Sequence, residues 1–448
     1  MNLNPKATII SCNYDNTAIC AAAARISTTE GDSDAVFEKS QKNENNERLI
    51  KKVLKSGHRS TIEHAVFTLS MRSVSAYVEQ FFIEFRLASF TVKSRRYVDF
   101  SKQGYHIPKE LPEKEQKIYR EYMDTLFEAY EKLLENNVPK EDARFLLPYS
   151  FNSNFYCTMN ARELINLVCA MRYGRGRGIP ELNDLADQIT AQIDEIFPCI
   201  SEELRVNVQE EHVSSEASVK STIKPVYYTE AEAGRVKMLS CPANPKEILE
   251  AAANLTGEGE DISRLPLANR PRALEQLNYS FLISNVTLSG VTHLVRHRMQ
   301  SIIVPPIQSI DFDRHIIPES VLHNEKAGAI YREAVTKAGK LLKIAFENDI
   351  LKKYAYYFAL SGNVIDVMTT VNARELLLFM KLRTCNRAQW EVRNIAMQML
   401  DGLREHLPEL FNKYGPSCFV YGSCPEGDRS CGKIKEVREI FEKGAVKN

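Results

Sequence analysis

The sequence predicts a duplicated α+β protein, and three observations carry that prediction. Short motifs recur at one fixed spacing, each copy holds a stretch alternating apolar and polar residues, and each stretch is followed by helical patterns. The spacing comes first, because a long-period duplication changes every later inference. "NARELINL" at 160 returns as "NARELLLF" at 372, "IYRE" at 118 returns at 330, and Glu63 has its counterpart in Glu275, all offset by 212 residues. The repeats run over 1–215 and 235–448, joined by the polar segment 210–230, "EEHVSSEASVKSTIKPVYYTE".

The elements follow in order. Upstream, "ICAAAARIS" pairs with "ILEAAANLT" at a larger offset, because the first copy carries the polar insertion 27–49. "HAVFTLSMRSVS" at 64 and "YSFLISNVTLSG" at 279 alternate as half-buried strands do. A helical run leads from each toward position 86 or 298, and a loop ending in Ile-Pro follows at 107–108 and 317–318. Long amphipathic helices are expected from 118 and from 330. A further helix opens at Asn160 and at Asn372, where a Glu three residues on makes a near capping box. Arg383 lies 11 residues beyond Asn372, about 20° around and about 16 Å along such a helix, so both are expected on one largely buried face.

Composition narrows the function. The chain has 448 residues, 44% of them apolar, enough for two real cores, and its 58 basic and 58 acidic residues cancel. Generic nucleic-acid or membrane-surface binding is therefore disfavoured, and ligand charge must be met locally. No apolar run reaches the roughly 20 residues of a membrane span, the start lacks a basic region followed by an apolar core, and ten irregularly spaced cysteines read as reduced thiols or metal ligands before disulfides. The expectation is a cytoplasmic chain.

"LVRHRMQSII" at 294–303 then stands out, since Arg296, His297 and Arg298 sit among Leu, Val and Ile. Such groups are costly to bury unless an anion sits there. In the first copy the same stretch reads "EFRLASFTVKSRRYVDFS": Arg86 survives, Phe85 replaces the His, and Ser94 and Arg96 appear where the second copy has Pro306 and Gln308. Each copy has kept what the other has lost.

Taken together, "RHRMQS" in one copy and Ser-x-Arg in the other resemble the signature of the flavin-dependent thymidylate synthase family, R-H-R-x-x-S-x-N-E-x-S-x-R. "GHRSTIEH" at 57 and "NARELLLFMKLRTCNRAQWEVR" at 372 are similar to its other two landmarks. The resemblance implies two tandem copies of that fold, an antiparallel sheet plus long helices. It also implies methylation of dUMP at C5, with methylenetetrahydrofolate as carbon donor and FAD reduced by NADPH as hydride carrier.

Carried over position by position, Ser94, Arg96 and Arg144 correspond to the grip on the dUMP phosphate, and Tyr356 stands at the second copy's equivalent of Arg144. His58, Ser60 and Glu63 match flavin-side positions, for which the second copy has Arg270, Arg272 and Glu275. Asn160, Arg162 and Asn166 correspond to flavin contacts in the first copy; Arg296, His297, Arg298, Asn372 and Arg374 do so in the second. Arg383 corresponds to the Arg that activates the uracil, whereas Arg172 in the first copy is displaced by one residue, about 100° around the helix. The family's Asn-Glu is Thr91-Val92 in one copy and Ile303-Val304 in the other, and Leu378 replaces a flavin-contacting Asn.

The complementary losses predict a composite site, with Ser94, Arg96 and Arg144 facing Arg383 between the halves. They also predict a homodimer with pseudo-tetrameric symmetry, replacing the family's tetramer. The alternative is a flavin- or nucleotide-binding protein without synthase activity, or one acting at C5 of another pyrimidine nucleotide. Last, Cys418, Cys424 and Cys431 crowd into a turn-rich tail. With Cys385 they are expected to hold a structural zinc.

Overall fold

The computed structural model describes residues 4–206, 229–230, 232–258 and 261–442. The chain divides into two compact units, Met1–Val219 with Ala329–Ala359, and Lys220–Gly328 with Leu360–Asn448. The repeat boundaries describe the duplication of sequence; packing divides the chain differently, because 329–359 belongs with the first unit. The joining segment lies outside the described residues except for Thr229 and Glu230.

The first unit holds strands β1 (Lys6–Cys12), β2 (Val66–Ser75), β3 (Ala88–Val92) and β4 (Asn152–Asn160), hydrogen-bonded in the order β1-β2-β4-β3 with every pair antiparallel. The alternation read from the sequence is the burial pattern of β2: Phe67, Leu69 and Met71 are buried, while Thr68, Ser70 and Arg72 are not. In the second unit β5 (Thr229–Glu230) precedes β6 (Arg235–Ser240), β7 (Asn278–Thr287), β8 (Gln300–Ile303), β9 (Arg314–His315) and β10 (Val364–Asn372). Its main sheet is antiparallel in the order β6-β7-β10-β8, and β5 pairs with β9 in parallel.

The copies agree in irregular detail as well as in regular structure. Ser73 and Asn285 both have a left-handed backbone, with φ of 53° and 57°. Each amide N–H is held by a side-chain oxygen of the neighbouring strand, Asn154 Oδ1 at 3.0 Å and Asp366 Oδ1 at 2.9 Å. At both places the pairing register shifts, as at a β-bulge. A hydroxyl pair crosses the same two strands in each copy, Thr68 with Thr158 and Ser280 with Thr370.

The long helices span Glu113–Glu135 and Glu325–Glu347, starting five residues before the apolar periodicity signals them. In one first turn Glu113 and Glu115 follow Pro112 and suit the positive end of the helix dipole, whereas in the other Asn324 Oδ1 caps by accepting the Ala327 N–H. The first helix buries Tyr119, Tyr122, Met123, Leu126, Tyr130 and Leu133. Residues 329–359 complete that core: Tyr122 Oη donates to the Phe358 carbonyl at 2.7 Å, and Tyr357 Oη to Glu181 Oε2 at 2.7 Å. Tyr356, at the position equivalent to Arg144, lies buried against Tyr77 with ring centroids 4.5 Å apart. The polar insertion of the first copy contributes the helix Ser33–Gln41, tied by Arg25 to Ser40 Oγ and Asn46 Oδ1, each at 2.7 Å. Among the described residues no helix is long and apolar enough to cross a membrane.

Candidate functional site

In the second unit the short helix Leu288–Leu294 ends just before the basic triplet. The turn that follows exposes Arg296 and Arg298 and buries His297, which is 5% exposed. His297 points at the helix Ala373–Arg383, whose N-cap is Asn372: its side-chain oxygen accepts the Glu375 N–H at 2.9 Å. Glu375 Oε1 lies 2.9 Å from His297 Nδ1, and Arg383, the last residue of that helix, donates from Nε to His297 Nε2 at 3.1 Å and from a terminal nitrogen to the His293 carbonyl at 3.3 Å. Burial, opposed by the Glu375 contact and reinforced by the Arg383 charge, lowers the His297 pKa below its usual value, so the imidazole is neutral. The triplet therefore splits, with two guanidinium groups outward and one neutral ring inward as a bridge between a carboxylate and Arg383.

Beside this cluster a cleft of about 500 Å³ is lined by Glu275, Met299, Asn372, Arg374, Leu378 and Lys381 among others. Arg374 is ion-paired to Glu275. Tyr421, from the tail, forms part of the wall, and the Lys381 ammonium lies 4.3 Å over its ring. Neither Lys381 nor Tyr421 was expected from sequence. Both are chemically ordinary surface residues, and the tail's place could not be read from its spacing.

In the first unit Arg96 and Arg144 both bond a residue the sequence reading missed, Glu141, and Ser94 bonds the backbone of Arg96. Arg96 Nε meets Glu141 Oε2 at 2.6 Å, its backbone N–H meets Ser94 Oγ at 3.3 Å, and Arg144 Nε meets the Glu141 carbonyl at 3.0 Å. Arg144 is 2% exposed and Arg96 is partly exposed. The middle residue of "SRR" belongs to a different cluster, since Arg95 is buried against Glu79 at 2.6 Å, over the Phe151 ring, and Ser153 also bonds that carboxylate.

Glu63 pairs with Arg162 at 2.6 Å, matching the Glu275–Arg374 pair of the second copy. His58 and Ser60 lie exposed a few residues before Glu63, Asn160 caps the helix Ala161–Arg172, and Asn166 donates to Glu163 Oε2 at 3.2 Å. Arg172 is turned toward the helix Pro180–Ile196, where it meets Asp187 at 2.8 Å and Thr190 at 3.0 Å.

The zinc expectation finds no support. Among the described residues no group of three or more His, Cys, Asp or Glu could hold a metal. Burial first, and then the neighbouring Cys385, Cys424 and Cys431, raises the Cys418 pKa. Cys385 Sγ accepts the Arg387 N–H at 3.5 Å and Cys431 Sγ an amide hydrogen of Asn386 at 3.9 Å, while Cys424 is partly exposed. The four residues are near one another without converging on a tetrahedral centre.

Fold and side-chain clusters define a tandem α+β protein in which each copy positions arginines beside an Asn-capped helix. The chain belongs to the family described as thymidylate synthase complementing protein, which matches it twice, over residues 8–199 and 228–409. A flavin-dependent thymidylate synthase of Clostridium tetani is 30% identical over 243 residues, 46% of this chain and 96% of the relative. One from Geobacter sulfurreducens is 30% identical over 177 residues, 39% of this chain and 76% of the relative. Among solved structures, a UMP/dUMP methylase, PolB from Streptomyces cacaoi, is 23% identical with a TM-score of 0.38, covering 45% of this chain and 95% of its own.

Proposed function

We propose that this protein is a flavin-dependent thymidylate synthase that methylates dUMP at C5, with methylenetetrahydrofolate as carbon donor and NADPH as reductant. The observation that carries the reading is the double family match combined with division of labour: the basic triplet's His and a well-placed Arg383 occur in the second unit, and the Ser94–Arg96–Arg144 group in the first. An Arg fork suits a phosphate dianion, and Arg96 and Arg144 supply two. Arg383 near N3 and O2 of uracil favours the charge distribution that makes C5 nucleophilic.

The cleft of the second unit suits FAD. Arg374 and Lys381 offer cations for its phosphates, Asn372 an amide, and Leu378 and Met299 apolar surface. When bound, the flavin supplies the hydride; the chain's own residues bind, orient and polarise. His58, Ser60, Glu63, Arg162 and Asn166 serve the flavin side of the first copy in the same reading.

The absence of the family's Asn-Glu from both copies, with Thr91-Val92 and Ile303-Val304 in its place, favours as second reading a flavin- or nucleotide-binding protein without turnover. Tritium release from [5-³H]dUMP in the presence of folate and NADPH decides between them. Release by the purified yellow protein supports the synthase, and flavin binding with no release supports the second reading.

A further inference from the structure

Arg383 can only donate hydrogen bonds, so the His297 nitrogen it meets at 3.1 Å must accept. His297 Nε2 therefore carries the lone pair, and the ring proton sits on Nδ1, directed at Glu375 Oε1 at 2.9 Å. Two geometric facts thus fix one tautomer of a buried ring. Glu375 is itself held: its N–H is capped by Asn372, and its side chain is 7% exposed in the first turn of the helix that ends at Arg383.

The first copy makes the contrast. Glu163 is equivalent to Glu375 and is capped in the same way by Asn160. Position 85 is Phe, position 171 is Met, and Glu163 takes its hydrogen bond from Asn166. Capping alone accounts for a Glu at this place in both copies. It does not account for a carboxylate, an imidazole and a guanidinium in line in the second copy.

We propose that Glu375 is a positioning residue for Arg383, acting through His297: the carboxylate holds the ring in its Nδ1–H form, and the Nε2 lone pair then anchors the guanidinium at a fixed angle. The proposal rests on the synthase reading for its effect on rate, and on the geometry alone for its effect on the ring. A buried ring with the opposite tautomer would turn an N–H toward Arg383 and push the guanidinium away.

The test uses the full chain with ¹⁵N-labelled histidine and two substitutions. In the unsubstituted protein the His297 signal should be that of a neutral Nδ1–H ring, stable below pH 6.5. Glu375→Ala should release the ring to the Nε2–H form or to a mixture. It should lower kcat for tritium release about a hundredfold, measured at saturating FAD, while KM for dUMP changes less than about threefold. Glu375→Gln keeps an acceptor for Nδ1–H, so it should retain the tautomer and recover kcat to within about tenfold. An unchanged ring signal in the Ala variant overturns the proposal, as does a loss of dUMP affinity in step with kcat, or a Gln variant as slow as the Ala. If the unsubstituted protein releases no tritium, the synthase reading fails by itself, and the ring signals of the two variants still decide whether Glu375 sets the tautomer.

Discussion

Arg383 and Arg96 carry the same charge and should fail differently. Arg383 is proposed to act on charge that develops during the reaction, so Arg383→Ala should abolish turnover while FAD remains bound. Arg96 is proposed to contact a phosphate already present in the ground state. Arg96→Ala should therefore raise KM for dUMP about tenfold or more with a smaller change in kcat. Steady-state kinetics with flavin absorbance separates the two, and near-native turnover in both variants would remove the assignment.

A third residue is defined by burial. His315 is 1% exposed in β9, and desolvation pushes its pKa down to about 3. The folded pKa lies below the unfolded value, so the unfolded chain binds a proton that the folded chain refuses. The contribution of His315 to stability is full above about pH 6.5 and is lost as pH falls toward 3. Melting temperatures between pH 7 and 4 should fall less steeply in His315→Gln than in the unsubstituted protein; an identical slope would show that His315 is not the group responsible.

Of the basic triplet only His297 is buried, so the cost of burial pointed to the right place in the sequence but misjudged Arg296 and Arg298, which are exposed. Glu141, Tyr421 and Lys381 were not legible, since their place in the clusters depends on tertiary contacts that no local spacing encodes.

Among elements, the strands and Asn-capped helices followed closely from alternation and capping. β2 and β7 lie within a few residues of the alternating stretches, and Asn160 and Asn372 cap the helices they were expected to open. The paired bulges at Ser73 and Asn285 were not legible. Neither residue is Gly, and the side chains that hold their amide groups come from strands about 80 residues away. The buried Glu79–Arg95 pair was hidden for the same reason: Arg95 sits between two residues with a separate proposed role.

This pair gives the prediction at the scale of packing. Glu79 also accepts from Ser153 Oγ, so Glu79→Ala leaves Arg95 buried without its carboxylate. The variant should lose about 3–5 kcal/mol of stability, measured by urea unfolding. The double substitution Glu79→Leu with Arg95→Met should recover much of it. A loss below about 1 kcal/mol in the single variant would mean that water reaches the pair.

At the scale of the whole molecule, the duplication was legible because motif spacing survives where residues do not. The assignment of 329–359 to the first unit was not, because the repeat pattern marks ancestry and is silent about which copy a helix packs against. The fused copies are proposed to supply in two chains what the family assembles from four. The prediction is a homodimer of about 100 kDa. Light scattering that finds a stable monomer at micromolar concentration would refute it.

The same segment sets a schedule for biosynthesis. Tyr122 hydrogen-bonds Phe358, and the Tyr149 amide hydrogen-bonds Ala359, so the interior of the first unit needs residues that leave the ribosome about 150 positions after Val206. At roughly 5–20 residues per second the nascent first unit waits roughly 8–30 s with its aromatic face uncovered. During that interval it is a client for chaperones and a target for proteases, and an early stop codon anywhere before 359 leaves it in that state for good. A fragment ending at 215 should accordingly bind a hydrophobic dye and resist crystallisation, although it contains a whole repeat.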